Sequence, residues 1–187
     1  MIVIRDAQPA DASGIARVHV ASWRSTYAGM LPGDYLVGMS KRTAEVRWRM
    51  SLPDRVPGGG TVVAVDEAGD VVGFASFGRE RRALDGIDGG FEGEVYALYL
   101  LDDAKGQGTG RRLMAACAGC MREAGWRSAM VWCLSTNPTR WFYEHLGGVR
   151  VAERPGRFAG MDIVEVAYGW RDLAPLARLS EVGRDHG

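Results

Sequence analysis

The sequence has no excess of either charge: 23 Lys and Arg offset 23 Asp and Glu. A balanced chain makes no electrostatic case for binding nucleic acid or an anionic membrane surface. It also lacks any apolar run near the ~18 residues of a membrane span. The N-terminal MIVIRDAQPAD has neither a basic leader nor an apolar signal core, so a cytoplasmic location is expected. Cysteine is scarce. Three residues, an odd number, in a chain of 187 argue for reduced thiols over a disulfide framework. Internal repeats are absent, and the one glycine-rich joint, Pro57-Gly58-Gly59-Gly60, reads as a surface loop because the segment before it is too short to fold alone. With 47% hydrophobic residues the chain can fill a core, and one domain is expected over residues 1–170, with a tail over 171–187.

What is present centres on Glu94–Leu113, EVYALYLLDDAKGQGTGRRL. Val95–Leu101 is a continuous β-branched, aromatic and aliphatic run, the pattern of a strand covered on both faces. Asp102 and Asp103 end it, Gly106, Gly108 and Gly110 alternate, and Arg111-Arg112 open a helix. Strand, glycine loop and helix start form an arrangement that holds a phosphate. Glycines let the backbone approach a ligand, and the unpaired N–H groups of the first helical turn point outward with the positive end of the macrodipole behind them.

Upstream, Ile2–Arg5 is a short strand, and Pro9 and Asp11 start a helix. Ile15, Val18, His19, Ser22, Trp23, Thr26 and Tyr27 share one face of it, which is oddly mixed. It fits either a core helix whose polar tips find partners or a helix lining a substrate. Asp34-Tyr35-Leu36 follows a loop, then a helix over Lys41–Leu52 ends at Pro53. Thr61–Val65 and Val71–Phe77 form a hairpin around residues 66–70. Arg79–Gly93 shows no period and reads as a mobile loop, with Arg79-Glu80-Arg81-Arg82 as solvated surface. Downstream, Leu113, Met114, Cys117, Cys120, Met121 and Ala124 make an apolar stripe. Ala129–Leu134 is a strand, Asn137-Pro138 starts a helix running to Leu146, and Val149–Glu153 and Ile163–Tyr168 are last strands around a turn at Pro155–Gly160. Leu173, Leu176 and Leu179 give the tail a short apolar spacing, and Gly183–Gly187 should fray. Cys117-x-x-Cys120 has the spacing of half a zinc site, but no second Cys/His pair follows and both cysteines lie on the stripe, so no metal is expected. Cys133 reads as core in the same way, and His145 as exposed.

The nucleotide motifs fail in turn. No Gly-x-x-x-x-Gly-Lys-Ser/Thr exists, and Gly108-Thr109-Gly110-Arg111-Arg112 is followed by Leu113, so the third dinucleotide glycine is missing. Lys105-Gly106-Gln107-Gly108-Thr109-Gly110 instead resembles the pyrophosphate loop of the GCN5-related N-acetyltransferases (GNAT), whose pattern is Gln/Arg-x-x-Gly-x-Gly/Ala at a helix start. Asn137 followed by Phe142-Tyr143-Glu144 and Leu146-Gly147 is similar to that family's second signature, in the right order. Lys105 departs from the pattern, keeping the charge but not the planar fork.

The resemblance implies an α+β fold, a mixed and mostly antiparallel sheet flanked by helices, with a splay between the loop strand and Ala129–Leu134. It implies acetyl-coenzyme A as co-substrate. Its pyrophosphate would lie on Gln107, Gly108, Thr109, Gly110 and Arg111, with Arg111 and Arg112 supplying positive charge nearby; the alternative for both arginines is ordinary surface. The pantetheine arm would run beside Leu98, Tyr99 and Leu100, with Asn137 as helix cap, arm contact or both. Acetyl transfer needs a neutral amine, whose solution pKa is ~10, and gains from protonation of the departing thiolate. Tyr143 stands where the family often has its general acid; the alternative is a packed aromatic beside Phe142. Glu94 is the candidate base, with Glu92 as competitor. His19, Trp23 and Tyr27, with Tyr35 and Tyr96, are expected to line the acceptor pocket. The expected function is acetyl transfer to a small primary amine by direct attack in a ternary complex. Its rivals are a non-catalytic acyl-coenzyme A sensor or regulatory module, and acetylation of protein N-termini or lysines. A homodimer could form through the last strands and tail.

Overall fold

Strands built from unbroken apolar runs need cover on both faces, and the chain supplies it with helices on either side of one sheet. The computed structural model describes residues 1–52, 56–81 and 90–179. Its strands are β1 (Val3–Asp6), β2 (Gly60–Val65), β3 (Val71–Arg79), β4 (Gly93–Leu100), β5 (Ala129–Leu134), β6 (Val149–Phe158) and β7 (Met161–Trp170). They form one seven-stranded sheet in the order β1-β2-β3-β4-β5-β7-β6. Every neighbouring pair is antiparallel except β4 and β5. The helices are α1 (Ala12–Thr26), α2 (Gly33–Gly38), α3 (Lys41–Ser51), α4 (Thr109–Glu123), α5 (Thr139–His145) and α6 (Ala174–Arg178).

The period-two alternation of the strands divides the core into two layers. Val62, Ala64, Ala75, Phe77 and Val95 face Leu113, Met114, Cys117 and Met121 of α4. Val63, Val65, Val71 and Phe74 face Ala12, Ile15 and Val18 of α1. Leu113 and Met114 are fully buried, and each such side chain contributes about 1.5–3 kcal/mol by leaving water. Leu173 and Leu176 are also buried and α6 packs on α4, so the start of the expected tail adds to this core. The expected fraying over 183–187 lies outside the described residues.

Two boundaries differ from the sequence reading. β6 and β7 stay paired to Phe158↔Met161, so the turn between them is Ala159-Gly160 and not Pro155–Gly160. Both turn residues have positive φ, 47° and 84°, as a two-residue hairpin requires. Pro155 is tolerated inside β6 because β6 is the sheet edge. Likewise β3 continues to Arg79 and β4 begins at Gly93. Glu80 N–H donates to the Glu92 carbonyl, which narrows the expected loop from both ends; residues 82–89 of that loop lie outside the described residues.

The junction of β4 with β5 positions everything that follows. Only Gly93↔Ala129, Glu94↔Met130 and Val95↔Val131 pair. Beyond them the strands part, leaving the rest of β4, Tyr96–Leu100, without a neighbour on that side. This is the expected splay.

Candidate active site

The parted strands open a cavity of about 410 Å³, walled by Tyr96–Leu100 of β4, Val131–Cys133 of β5, the glycine loop, and Asn137, Phe142 and Tyr143 at α5. The loop takes its shape from glycine. Gly106 and Gly108 both sit at φ 75°, the left-handed region where a side chain is strained, and Gly108 is the residue from which α4 starts. Gly110 is held for another reason: a Cβ there would lie 3.3 Å from Phe142 Cζ. The N–H groups of Thr109, Gly110 and Arg111 have no acceptor within the helix by position. Arg111 lines the cavity, and its buried Nε has no hydrogen-bond partner among the described residues. Free helix-start donors beside an orphaned guanidinium nitrogen fit a phosphate group.

Of the residues expected to hold the cofactor, Leu98, Tyr99, Leu100, Lys105, Gly106, Gly108, Gly110, Arg111 and Asn137 line this cavity. Gln107, Thr109 and Arg112 do not. Gln107 Nε2 closes the loop on the Asp103 carbonyl, Thr109 is buried, and Arg112 turns away to the Ile2 carbonyl at 2.9 Å. Lys105 pairs with Asp102. Asn137 Oδ1 accepts the Thr139 N–H at 2.9 Å, so it caps α5 while facing the cavity.

Tyr143 is buried at the inner end, packed on Phe142, Tyr168 and Trp170. Burial first, then Cys133 and Tyr27, pushes its phenol far above the ordinary value. Cys133 lines the same cavity, and burial raises its thiol to about 11, so it stays protonated at neutral pH. The Tyr27 and Tyr99 hydroxyls lie 3.2 Å apart, and burial raises both phenols.

A second cavity, of about 510 Å³, shares Tyr27, Tyr96, Tyr99, Trp132 and Cys133 with the first. Trp23 lines it as expected, but His19 and Tyr35 do not; they face a separate groove between α1, α2 and α3. His19 stacks behind Tyr99, with ring centroids 5.8 Å apart and planes at 8°, and its Nδ1 accepts from Trp48 Nε1. Burial, and then Arg47, lowers its pKa, so the ring is neutral. Tyr96 lines both cavities with its ring while its hydroxyl donates to the Arg79 carbonyl at 2.6 Å.

Glu94 lies on the wall of the second cavity, 3% exposed, and is not free. Arg81 donates to it from Nη2 at 2.7 Å, from Nε at 3.3 Å and from its backbone N–H at 3.1 Å. The sequence pattern puts Arg81 on solvated surface; the structure instead makes it the partner of a buried carboxylate, with its guanidinium carbon 4.0 Å over the Tyr96 ring. Glu92 accepts the N–H groups of Arg127 and Ser128 at the start of β5. Sequence reading missed Trp132, Arg154, Phe158 and Glu165, which also line this cavity. A signal existed: Arg154 and Glu165 are register partners once the last hairpin turns at Ala159-Gly160.

The chain is 41% identical over 180 residues to the uncharacterized N-acetyltransferase YuaI of Bacillus subtilis, covering 96% of this chain and 98% of the relative. A model of the acetyltransferase (GNAT) domain matches residues 57–147. The chain belongs to the GNAT N-acetyltransferases. This N-acetyltransferase is also 32% identical over 124 residues to the L-methionine sulfoximine/L-methionine sulfone acetyltransferase of Pseudomonas aeruginosa, covering 65% of this chain and 64% of that one. Its fold matches that of yncA from Salmonella typhimurium, solved with its cofactor acetyl-CoA, with a TM-score of 0.65 at 21% identity over 92% of this chain and 94% of the other. Among the described residues no cluster of His, Cys, Asp or Glu is suited to hold a metal, and no helix is long and apolar enough to cross a membrane.

Proposed function

We propose that this N-acetyltransferase moves the acetyl group of acetyl-CoA to the primary amine of a small molecule, by direct attack while both are bound. The observation that carries the reading is the meeting of two cavities across Tyr27, Tyr99, Trp132 and Cys133: one is lined by the glycine loop and the start of α4, the other by aromatics and charged pairs. A ternary complex needs this geometry, since two reactants held at one junction react as an intramolecular pair. Phe158, near the tip of the β6–β7 hairpin, reaches Trp23 and Tyr35 with centroids 6.0 and 4.7 Å apart and closes one side of the second cavity. That closure favours a small acceptor over a protein chain. The Pseudomonas relative, named as an L-methionine sulfoximine/L-methionine sulfone acetyltransferase, points the same way.

Acetyl-CoA supplies the activated thioester. The N–H groups of Gly108 to Arg111 and the Arg111 guanidinium hold its pyrophosphate, and the open edge of β4 at Leu98–Leu100 takes the pantetheine arm and polarises the carbonyl through its N–H groups. As the nitrogen–carbon bond forms and the carbon–sulfur bond breaks, the proton of the nitrogen leaves to solvent through the second cavity. Tyr143 donates a hydrogen bond to the departing sulfur. A thiol has a pKa of about 8.5, below that of the buried phenol, so Tyr143 stabilises the thiolate by sharing its proton and does not give it up permanently. Glu94 is assigned to anchoring Arg81, because a carboxylate that accepts three hydrogen bonds from one arginine would lose that pair by taking a proton.

The test is release of free coenzyme A thiol from acetyl-CoA across a panel of small amines, including L-methionine sulfoximine and L-methionine sulfone, beside peptides with free N-termini or lysines. Small amines should turn over and peptides should not. Turnover confined to peptides would transfer the activity to proteins, and coenzyme A binding with no turnover at all would leave a sensor module.

A further inference from the structure

The second cavity contains an arginine with an unused edge. Arg154 projects from β6 opposite Glu165 of β7 and donates to Glu165 Oε2 from Nε alone, at 2.8 Å. Its guanidinium carbon lies over the Trp132 ring, 3.8 Å from the centroid. Ring contact and ion pair together hold the group, and among the described residues nothing accepts a hydrogen bond from Nη1 or Nη2. Arg81 across the cavity differs, because it spends both Nε and Nη2 on Glu94. Three arginines, Arg81, Arg154 and Arg157, line the cavity against two carboxylates, Glu94 and Glu165. Arg157 is paired away from the cavity lining, with Asp162 at 3.9 Å, so each arginine has one carboxylate partner, and what sets Arg154 apart is the fork that its pair leaves unused.

Resting on the acetyl-transfer reading above, we propose that the acceptor is an amine bearing a carboxylate a few bonds from the reacting nitrogen, and that Arg154 binds that carboxylate through Nη1 and Nη2. A planar guanidinium held by its inner edge presents two parallel N–H groups outward, the geometry that matches a carboxylate bidentately. Position supports it as strongly as chemistry. Trp132 belongs to both cavities, so Arg154, which lies over its ring, is placed next to the junction. An amine attached close to that carboxylate reaches the junction, and one attached far from it overshoots. The rest of the molecule would lie against Trp23, Tyr27 and Phe158, an apolar and aromatic wall.

The experiment pairs each L-amino acid of a panel with its own carboxamide and follows thiol release from acetyl-CoA for the wild type, Arg154→Gln and Arg154→Lys. The wild type should use the acid in preference to the amide by roughly tenfold or more in kcat/KM. Arg154→Gln should raise KM for the acid roughly 10- to 100-fold, the range for hydrogen bonds to a charged group, while the amide loses far less. Arg154→Lys, which keeps the charge without the fork, should recover part of the loss. Equal use of acid and amide by the wild type overturns the proposal without involving any variant, and so does an equal loss for both substrates in Arg154→Gln. Acetylation of amides alone would sink this proposal and leave the acetyl-transfer reading standing. Coenzyme A binding without thiol release from any amine would remove both.

Discussion

Replacing Glu94 by Gln separates an anchoring carboxylate from a catalytic base. The carboxylate takes three hydrogen bonds from Arg81, at 2.7, 3.1 and 3.3 Å, and is 3% exposed. Gln keeps one acceptor and turns its NH₂ toward guanidinium donors, so at least one charge-assisted bond is lost. Such a bond contributes about 1.5–3 kcal/mol. Because the Arg81 side chain is 58% exposed and can rehydrate, the net loss should be nearer 1–2 kcal/mol. For a chain of this size that lowers the melting midpoint by roughly 2–8 °C. Kinetically, a mispositioned Arg81 should raise the KM of the acceptor and lower kcat/KM by about tenfold, with the acidic limb of the pH–rate profile unmoved. Arg81→Gln should reproduce the effect, and the double variant should cost little more than either single one. Had Glu94 been the proton acceptor, its loss would cost 10²–10⁴ in rate. A fall in kcat of more than about 100-fold with loss of the acidic limb would refute the anchoring role.

Tyr143→Phe keeps the ring contacts to Phe142, Tyr168 and Trp170 and removes only the hydroxyl. It should lower kcat by roughly 10- to 100-fold with KM and melting midpoint little changed, as steady-state thiol release would show. Gly108→Ala forces a side chain into φ 75° at the start of α4. It should cost about 1 kcal/mol in stability and weaken coenzyme A binding in calorimetry by about tenfold, whereas Gly119→Ala, in the open face of α4, should do neither. The buried phenols Tyr99 and Tyr143 have pKa values raised above those of the unfolded chain. Both are protonated in either state below pH ~10 and ionise only on unfolding above it. Above that pH stability should therefore fall by up to about 1.4 kcal/mol per pH unit for each phenol, adding to the loss that the raised thiols of Cys117 and Cys133 begin near the ordinary thiol pKa of about 8.5, a slope readable from melting midpoints between pH 9 and 11.

The parts legible in the sequence were those where one local rule acts alone. The run Val95–Leu101 had to be a covered strand, Gly106 and Gly108 had to turn the chain, and the stripe from Leu113 to Met121 had to face a sheet. The acceptor cavity was harder because it is assembled from fragments of several elements. On α1 the apolar and aromatic positions spread over a wide arc. Ile15 and Val18 enter the core, Ser22 donates to the Leu100 carbonyl, Trp23 and Tyr27 reach the cavity, and His19 falls behind Tyr99. Periodicity says these residues share a face and cannot say where the sheet beneath them ends. Arg154 and Glu165 went unseen because a turn drawn four residues too wide hides their pairing. Arg81 was hidden in an aperiodic stretch, since a buried partner such as Glu94 leaves no mark on local pattern.

The three residue pairs joining β4 to β5 have a mechanical meaning as well. They make the sheet two half-sheets, β1–β4 and β5–β7, with a seam that backbone bonding closes only at one end. A seam of this kind loosens from its open end, where Tyr96–Leu100 has no strand across from it. A ligand that offers amide groups along that edge stitches the halves together, so occupancy adds to the cohesion of the whole fold in proportion to the logarithm of ligand concentration. With the acetyl donor lying there as proposed, binding it and holding the two halves in register would be one event.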